Sequence, residues 1–254
     1  MKAITTTIPY IQQAAQLVFG DGAIDFECRY RSIDHVIANT PVQNFLEIAS
    51  GFSFRSLAVT AERPCSYLDT DLAEIIEVKR ELAVDLLRAE GRPADRSPAF
   101  VALNAMDSSA LASAVATFPA GPVVFICEGL LMYLDEAEKR RLCASIHGAL
   151  SERGGFWVTG DVYVARAPGV KPRALTPQAA QFLAQHKVQE NIFPTFDAAA
   201  SFFRECGFEA ERHHADEVYS QLTSIEALKK LQAVNEEEVR ARLSTRETWV
   251  LRPA

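Results

Sequence analysis

The chain has 254 residues, of which 48% are hydrophobic and 23% charged, enough for one large α/β domain with a sizeable core. Its 33 acidic residues outnumber 26 basic ones, for a formal charge of −7, and no block of lysine or arginine breaks that balance. A phosphate backbone is repelled by such a surface, so nucleic acid is not an expected partner, and no apolar run reaches the length of a membrane span.

In chain order, residues 8–19 place Ile11, Ala14, Ala15 and Val18 at helical spacing, ahead of a turn at Gly20-Asp21-Gly22. Residues 25–38 predict a helix in their second half, where Ile33, Val36 and Ile37 share a face. The apolar run Val42, Phe45, Leu46, Ile48 reads as a parallel strand covered on both faces, after which Gly51 turns the chain sharply into a helix. Glu47 within that run is costly unless paired or functional, which directs it toward the crevice at the strand end. A second strand over 65–68 precedes a helix through 69–92 with Leu72, Ile75, Ile76, Leu82 and Leu86 on its inner side, stopped by Gly91 and Pro93. A third strand over 97–103, a serine-capped helix over 108–118 and a fourth strand over 123–127 follow. A helix over 134–150 has early acids and later basic residues that suit its dipole, and Gly154-Gly155 turns into a fifth strand over 155–163.

Residues 164–193 lose periodicity, hold Pro168, Pro172 and Pro177, and predict a cap or lid. A helix over 196–207, a sixth strand over 208–214 and a last strand over 247–253 complete the alternation. The expectation is α/β: a doubly wound, mostly parallel Rossmann-like sheet of about seven strands in a single domain over 1–254. Residues 1–40 form its helical N-terminal part and about 164–193 a cap insertion.

Ligands of such sheets bind outside the carboxyl ends of the strands. Four polar ends meet there: Glu47 and Gly51, then Asp69-Thr70-Asp71, Asn104-Ala105-Met106-Asp107, and Glu128-Gly129. An acid after the second strand can accept both hydroxyls of a ribose. A pyrophosphate calls for G-x-G-x-x-G, whereas IASGFSFR has one glycine, so the expected ligand carries a ribose and no phosphate. S-adenosylmethionine fits, because its amino and sulfonium groups are cationic and the crevice is acidic; a nicotinamide-dependent oxidoreductase is the competing reading. The cysteines at 28, 65, 127, 143 and 206 form no CxxC pair, their odd number argues against a disulfide framework, and a cytoplasmic location is expected. The N-terminal stretch reads as lacking a signal-peptide core. His213-His214 point to opposite faces of a strand, so no metal site is expected.

The segments CRYRSID, IASGFSFR, LDTDLAEIIEVK, LNAMD and EGLLMYL, within roughly residues 25–145, resemble the leucine carboxyl methyltransferase family. That family belongs to the class I S-adenosylmethionine-dependent O-methyltransferases and includes a polyketide O-methyltransferase branch. At these places it shows an upstream arginine, LGAGLDTR, EVD with a helix and lysine after it, DLRD, and EGLLMYL. Ala49, Ser53 and Asn104 stand where it usually has glycine, aspartate and aspartate. The resemblance implies S-adenosylmethionine as cofactor and S-adenosylhomocysteine as product. It implies that Arg31 holds the cofactor carboxylate, Gly51 approaches its methionine part, Asp71 or Asp69 takes the ribose, Asn104 and Ala105 flank the adenine, and Glu128 sits near the amino group. At Ala49 the added methyl group is tolerable if φ is negative there.

Plainer roles compete for some of these residues. Arg31 also suits an ion pair with Asp34 three residues on, and Asp69 or Asp71 the cap of the helix that follows. The implied reaction is in-line methyl transfer to a hydroxyl or carboxyl group of a small, polyketide-like acceptor. A carboxyl at a protein C-terminus and a non-catalytic cofactor-binding protein are the alternatives. A phenol of pKa about 10 benefits from a general base where a carboxylate does not, and His35, Tyr163 and His186 are the candidates. The acceptor pocket is expected from residues 164–193 together with the N-terminal helix, with a helical hairpin that only covers the sheet as the alternative for that segment, and the sequence leaves oligomeric state open.

Overall fold

The computed structural model describes residues 22–92, 98–165, 177–230 and 235–254. The helix expected over 8–19 and residues 166–176 of the expected cap lie outside them. Seven strands form one sheet: β1 (Asn44–Ile48), β2 (Ser66–Asp71), β3 (Ala99–Ala102), β4 (Val123–Cys127), β5 (Gly155–Thr159), β6 (Phe208–His214) and β7 (Glu247–Pro253). Their spatial order is β3-β2-β1-β4-β5-β7-β6. The first five are parallel, and β7 inserts antiparallel between β5 and β6. The doubly wound, mostly parallel sheet expected from the alternation is thus observed, closed at one side by an antiparallel pair.

The helices are α1 (Gly22–Ala38), α2 (Arg55–Glu62), α3 (Ala73–Ala89), α4 (Ser108–Ala116), α5 (Glu136–Arg153), α6 (Pro177–Gln185), α7 (Val188–Asn191), α8 (Phe196–Glu205), α9 (Thr223–Lys230) and α10 (Glu236–Leu243). Every residue of β1 and β4 is buried, as a sheet covered on both faces requires, with Asn44 and Glu47 of β1 among them. On one face Leu111 of α4, Leu142 and Ile146 of α5 and Phe203 of α8 pack on Phe125, Trp157 and Trp249. On the other, Ile33 and Ile37 of α1 pack on Phe45, Val124, Val158 and Val250. Gly155 opens β5 at φ +106°, and a Cβ there would lie 2.0 Å from the Val123 carbonyl oxygen, so only glycine lets β4 and β5 approach.

Several elements differ from the sequence expectation. The first described helix takes in the whole of residues 22–38 rather than only the second half of 25–38. β2 extends through Asp71, which puts Asp69 and Thr70 inside the strand instead of beyond it. α3 turns Ile76, Lys79, Ala83 and Leu87 inward, while Leu72 and Leu82, expected inside, are 47% and 44% exposed. That segment carries apolar residues on two faces, and Lys79 decides between them by reaching Ser50 Oγ at 2.8 Å and Asp69 at 3.1 Å. The α4 cap is Asp107 rather than Ser108: its carboxylate accepts from the N–H groups of Ser109 and Ala110, both at 3.0 Å. Bonds from the Ser109 side chain and from the Ala110 and Ser109 backbone hold that carboxyl below its ordinary range.

Part of the expected cap is regular. Pro177 opens α6, a first-turn position where its missing N–H does no harm. The stretch between β6 and β7, for which the sequence reading predicted no element, holds α9, α10 and a 3₁₀ turn over Ala215–Gln221. It builds a second small core in which Val218, Leu222, Ile225 and Leu243 pack on Ile24 and Cys28 of α1. Glu27 fastens the two together by accepting from the N–H groups of Thr223 and Ser224 at 2.9 and 2.8 Å.

Candidate active site

After β1 the chain turns with φ +51° at Ala49 and +48° at Gly51. The condition under which an alanine methyl group is tolerated at position 49, a negative φ, is not met. Ser50 N–H donates to the Thr70 carbonyl at 2.9 Å and Gly51 N–H to Asp71 Oδ2 at 2.7 Å, which ties the turn to the end of β2. A left-handed conformation costs an L-residue about 1–2 kcal/mol, and Ala49 bears it. A Cβ built on Gly51 would meet nothing within 4 Å among the described residues, so the turn is open on their side. Asp71 Oδ1 accepts from Leu72 N–H, also at 2.7 Å, and each carboxylate oxygen keeps a further lone pair.

The two ribose candidates are sharply different. Asp69 is fully buried, paired with Lys79 and bonded by Ser56 Oγ beneath the turn, whereas Asp71 lies at its rim. Burial, with Glu47 behind it, pushes the Asp69 carboxyl up to about 6 against the pull of Lys79 and Ser56. Leu103 N–H donates to the Asp71 carbonyl at 2.7 Å and so sets the exposed Asn104 and half-buried Ala105 next to that rim. Asn104 Oδ1 accepts from Met106 N–H at 2.9 Å, and its amide nitrogen has no partner among the described residues.

Beneath the crevice lies a residue to which the sequence reading assigned no role. Arg55, the last residue of IASGFSFR, is 1% exposed, and its guanidinium joins three elements. It donates to Asp34 of α1 at 2.8 Å, to Glu47 of β1 at 2.6 Å and to Glu128 after β4 at 2.5 Å, and it stacks 4.1 Å over the Tyr30 ring. Glu47 is therefore a buried partner of Arg55 and of the Tyr67 hydroxyl, at 2.6 Å each, rather than a group facing the opening. Glu128 also accepts from Arg29 Nε at 2.9 Å. Burial alone would raise the Glu128 carboxyl, but Arg55 and Arg29 outweigh it and hold it below its ordinary value. The sequence signal for Arg55 was the family's own turn, which ends in arginine.

Arg29 rather than Arg31 reaches this cluster. Its Nη1 bonds the Tyr163 hydroxyl, and its Nη2 lies beside the glycine turn, 3.7 Å from where a Cβ on Gly129 would sit. Arg31 approaches Glu27 and Asp34 of its own helix, each at 4.0 Å.

Asp161, just beyond β5, fixes the turn that carries Glu128. It accepts from the N–H groups of Gly129, Leu130 and Leu131 at 2.5, 2.7 and 3.2 Å. Downstream in the same segment, Tyr133 meets two side chains of the cap: His186 with ring centroids 5.7 Å apart and Phe182 at 6.2 Å. The ends of the cap are clamped, with Ala165 N–H on the Phe193 carbonyl at 2.8 Å and Lys139 Nζ on the Asn191 carbonyl at 2.5 Å. Of the candidate bases, Tyr163 and His186 are brought to this region. His35 is exposed on α1, and its carbonyl accepts from Asn39. Burial lifts the Tyr163 phenol above its ordinary value although Arg29 draws it down, which favours its protonated form, and its oxygen accepts from Arg29 Nη1.

Among the described residues no group of three His, Cys, Asp or Glu side chains is placed to hold a metal, and no helix is long and apolar enough to cross a membrane. A cavity of about 390 Å³ between Pro41, Pro64 and Pro122 opens at the amino ends of the strands, the opposite end from the crevice.

Strand order, antiparallel β7 and a glycine turn after β1 define a protein with the class I methyltransferase fold. The leucine carboxyl methyltransferase family model matches residues 13–147, more than half of the chain, and the protein belongs to that family. The mitomycin 7-O-methyltransferase MmcR superposes with a TM-score of 0.53 at 13% identity, over 97% of this chain and 58% of that one. An O-methyltransferase family protein from Burkholderia thailandensis gives 0.52 at 14%, over 92% and 59%, and the S-adenosylmethionine-dependent methyltransferase SibL 0.51 at 14%, over 87% and 55%. At these identities the likeness is one of fold, and this chain spans little more than half the length of each. No curated protein sequence matches it.

Proposed function

We propose that the protein is an S-adenosylmethionine-dependent O-methyltransferase acting on a hydroxyl or carboxyl group of a small molecule. The observation that carries this reading is the Gly51 turn, which among the described residues is left open beside Asp71, at the strand-end crevice to which Arg29 and Glu128 also belong. The set fits the cofactor group by group. Asp71 has lone pairs for the ribose hydroxyls, Glu128 is an anion for the amino group, and Arg29 Nη2 is a donor for the carboxylate, the role the family resemblance implied for Arg31. Asn104, whose amide nitrogen has no partner among the described residues, and Ala105 flank the adenine.

When bound, the cofactor supplies an electrophilic methyl group on a sulfonium. The chain itself binds, orients and excludes water, and alignment of reactants at about 3–3.5 Å supplies much of the acceleration. His186 stands at the mouth to accept a proton where the acceptor is a hydroxyl, and an ionised carboxylate needs no base. The excess of acidic residues argues for a small-molecule partner rather than nucleic acid, and its free cysteines suit the cytoplasm. Isothermal calorimetry tests the reading: S-adenosylhomocysteine should bind saturably and NAD should not. Saturable NAD binding without a response to S-adenosylhomocysteine would overturn it.

A further inference from the structure

Arg246 lies immediately before β7. Because β7 runs antiparallel to β5, with Trp249 paired to Thr159, the start of β7 comes to the carboxyl end of β5, on the crevice side of the sheet. There the Arg246 guanidinium sits 5.2 Å from the centroid of the Tyr163 ring, whose hydroxyl is bonded by Arg29. The two arginines differ in one respect. Arg29 is neutralised by Glu128 at 2.9 Å, whereas Arg246, although half-buried, has no carboxylate in ion-pair contact among the described residues. A partly desolvated cation held on an aromatic face and lacking a counter-ion is poised for an anion from outside the chain. The planar guanidinium matches a carboxylate with two parallel bonds.

The neighbouring wall is aromatic. Tyr133, Phe182 and His186 touch one another ring to ring, and Tyr133 and Phe182 are among the large hydrophobic side chains left exposed. The 3₁₀ turn that carries Tyr133 is tied to Asp161 by the Leu130 and Leu131 N–H groups at 2.7 and 3.2 Å, two residues before Tyr163, and Phe193 N–H at the end of the cap bonds the Tyr163 carbonyl at 2.9 Å, so the aromatic wall stands beside the Tyr163–Arg246 pair.

We infer that Arg246 is an anion-binding residue of the acceptor site, and that the acceptor is an aromatic molecule bearing a carboxylate. Its ring packs on Tyr133 and Phe182, and its carboxylate pairs with Arg246. This inference rests on the proposed function and names the acceptor class for that site.

The test uses 2-naphthoate and its uncharged analogue 2-naphthamide as probes, titrated by calorimetry with and without saturating S-adenosylhomocysteine. The acid should bind about tenfold or more tighter than the amide, as one charge-assisted contact predicts. Arg246→Gln should abolish the preference and Arg246→Lys should keep part of it, with circular dichroism unchanged in both. The affinity for S-adenosylhomocysteine should stay within about twofold in the Arg246 variants and fall at least tenfold in Arg29→Gln. Equal affinity for acid and amide, or binding of neither, overturns the inference. So does an Arg246→Gln variant that loses S-adenosylhomocysteine, since the guanidinium would then hold the cofactor's carboxylate. Failure of the unaltered protein to bind S-adenosylhomocysteine, with the acid preference intact, would instead count against the methyltransferase reading alone.

Discussion

Ala49 shows how a single residue departs from its surroundings. Its φ of +51° is imposed by the bonds that tie the following residues to β2, not by the alanine itself. Glycine adopts that region freely but also loses more entropy on folding, so part of the gain is returned. Ala49→Gly is expected to stabilise the protein by about 0.5–1 kcal/mol, read as a higher urea midpoint at constant slope. A lower midpoint would show that the alanine methyl makes packing contacts worth more than the strain. Glu128 yields a second expectation, in pH. Its folded carboxyl lies below the ordinary 4.5, so its contribution to stability is fully present above that value. As the pH falls below 4.5 the unfolded chain takes up the proton first, and the contribution is lost as the folded value is crossed. The stability gap between the protein and Glu128→Gln should therefore narrow in urea titrations from pH 5 downward. A gap that stays constant to the acid limit would mean that the two arginines do not favour the ionised form.

Among the elements, the cap divides into an anchored and an open part. Phe193 is 8% exposed and packs on Phe202 and Phe203 with centroids 5.5 and 5.9 Å away, whereas Phe182 of α6 is 45% exposed beside Tyr133. Phe193→Ala should destabilise the fold by about 3 kcal/mol or more, and Phe182→Ala by well under 1 kcal/mol, in equilibrium denaturation. The second variant should still lose binding of an aromatic acceptor probe. Equal destabilisation by the two would make the whole segment core. The sequence marks this region by its length and prolines and leaves a helical hairpin as the alternative; Thr176-Pro177, a cap residue followed by a first-turn proline, is the local signal that places the start of α6. β1, β4 and β7 were legible because each is a compact run of apolar or β-branched residues bounded by turn or polar residues. Lys79 was not, because a charged residue reads as solvated until its buried partners, Ser50 and Asp69, are known.

At the scale of the whole molecule, alternation of strands and helices was enough for the sheet's class but not for the place of its last strands. Nothing local in 208–214 or 247–253 distinguishes a parallel from an antiparallel neighbour, and the pairing emerges only from the register of Trp157 against Leu251 and Phe208 against Pro253. The same holds for the crevice floor: Arg55 is one letter in a turn until α1, β1 and the end of β4 converge on it.

β7 is seventh in the chain and sixth in space. During synthesis β5 and β6 are both made before the strand that joins them, and until it is made each lacks its partner on one edge. Trp157 and Val158 lie on one of those edges and Phe208 on the other. The chain is therefore exposed to wrong partners until β7 has been made, and truncation ahead of residue 247 would leave a chain with two unmet strand edges, a natural client for chaperones and proteases.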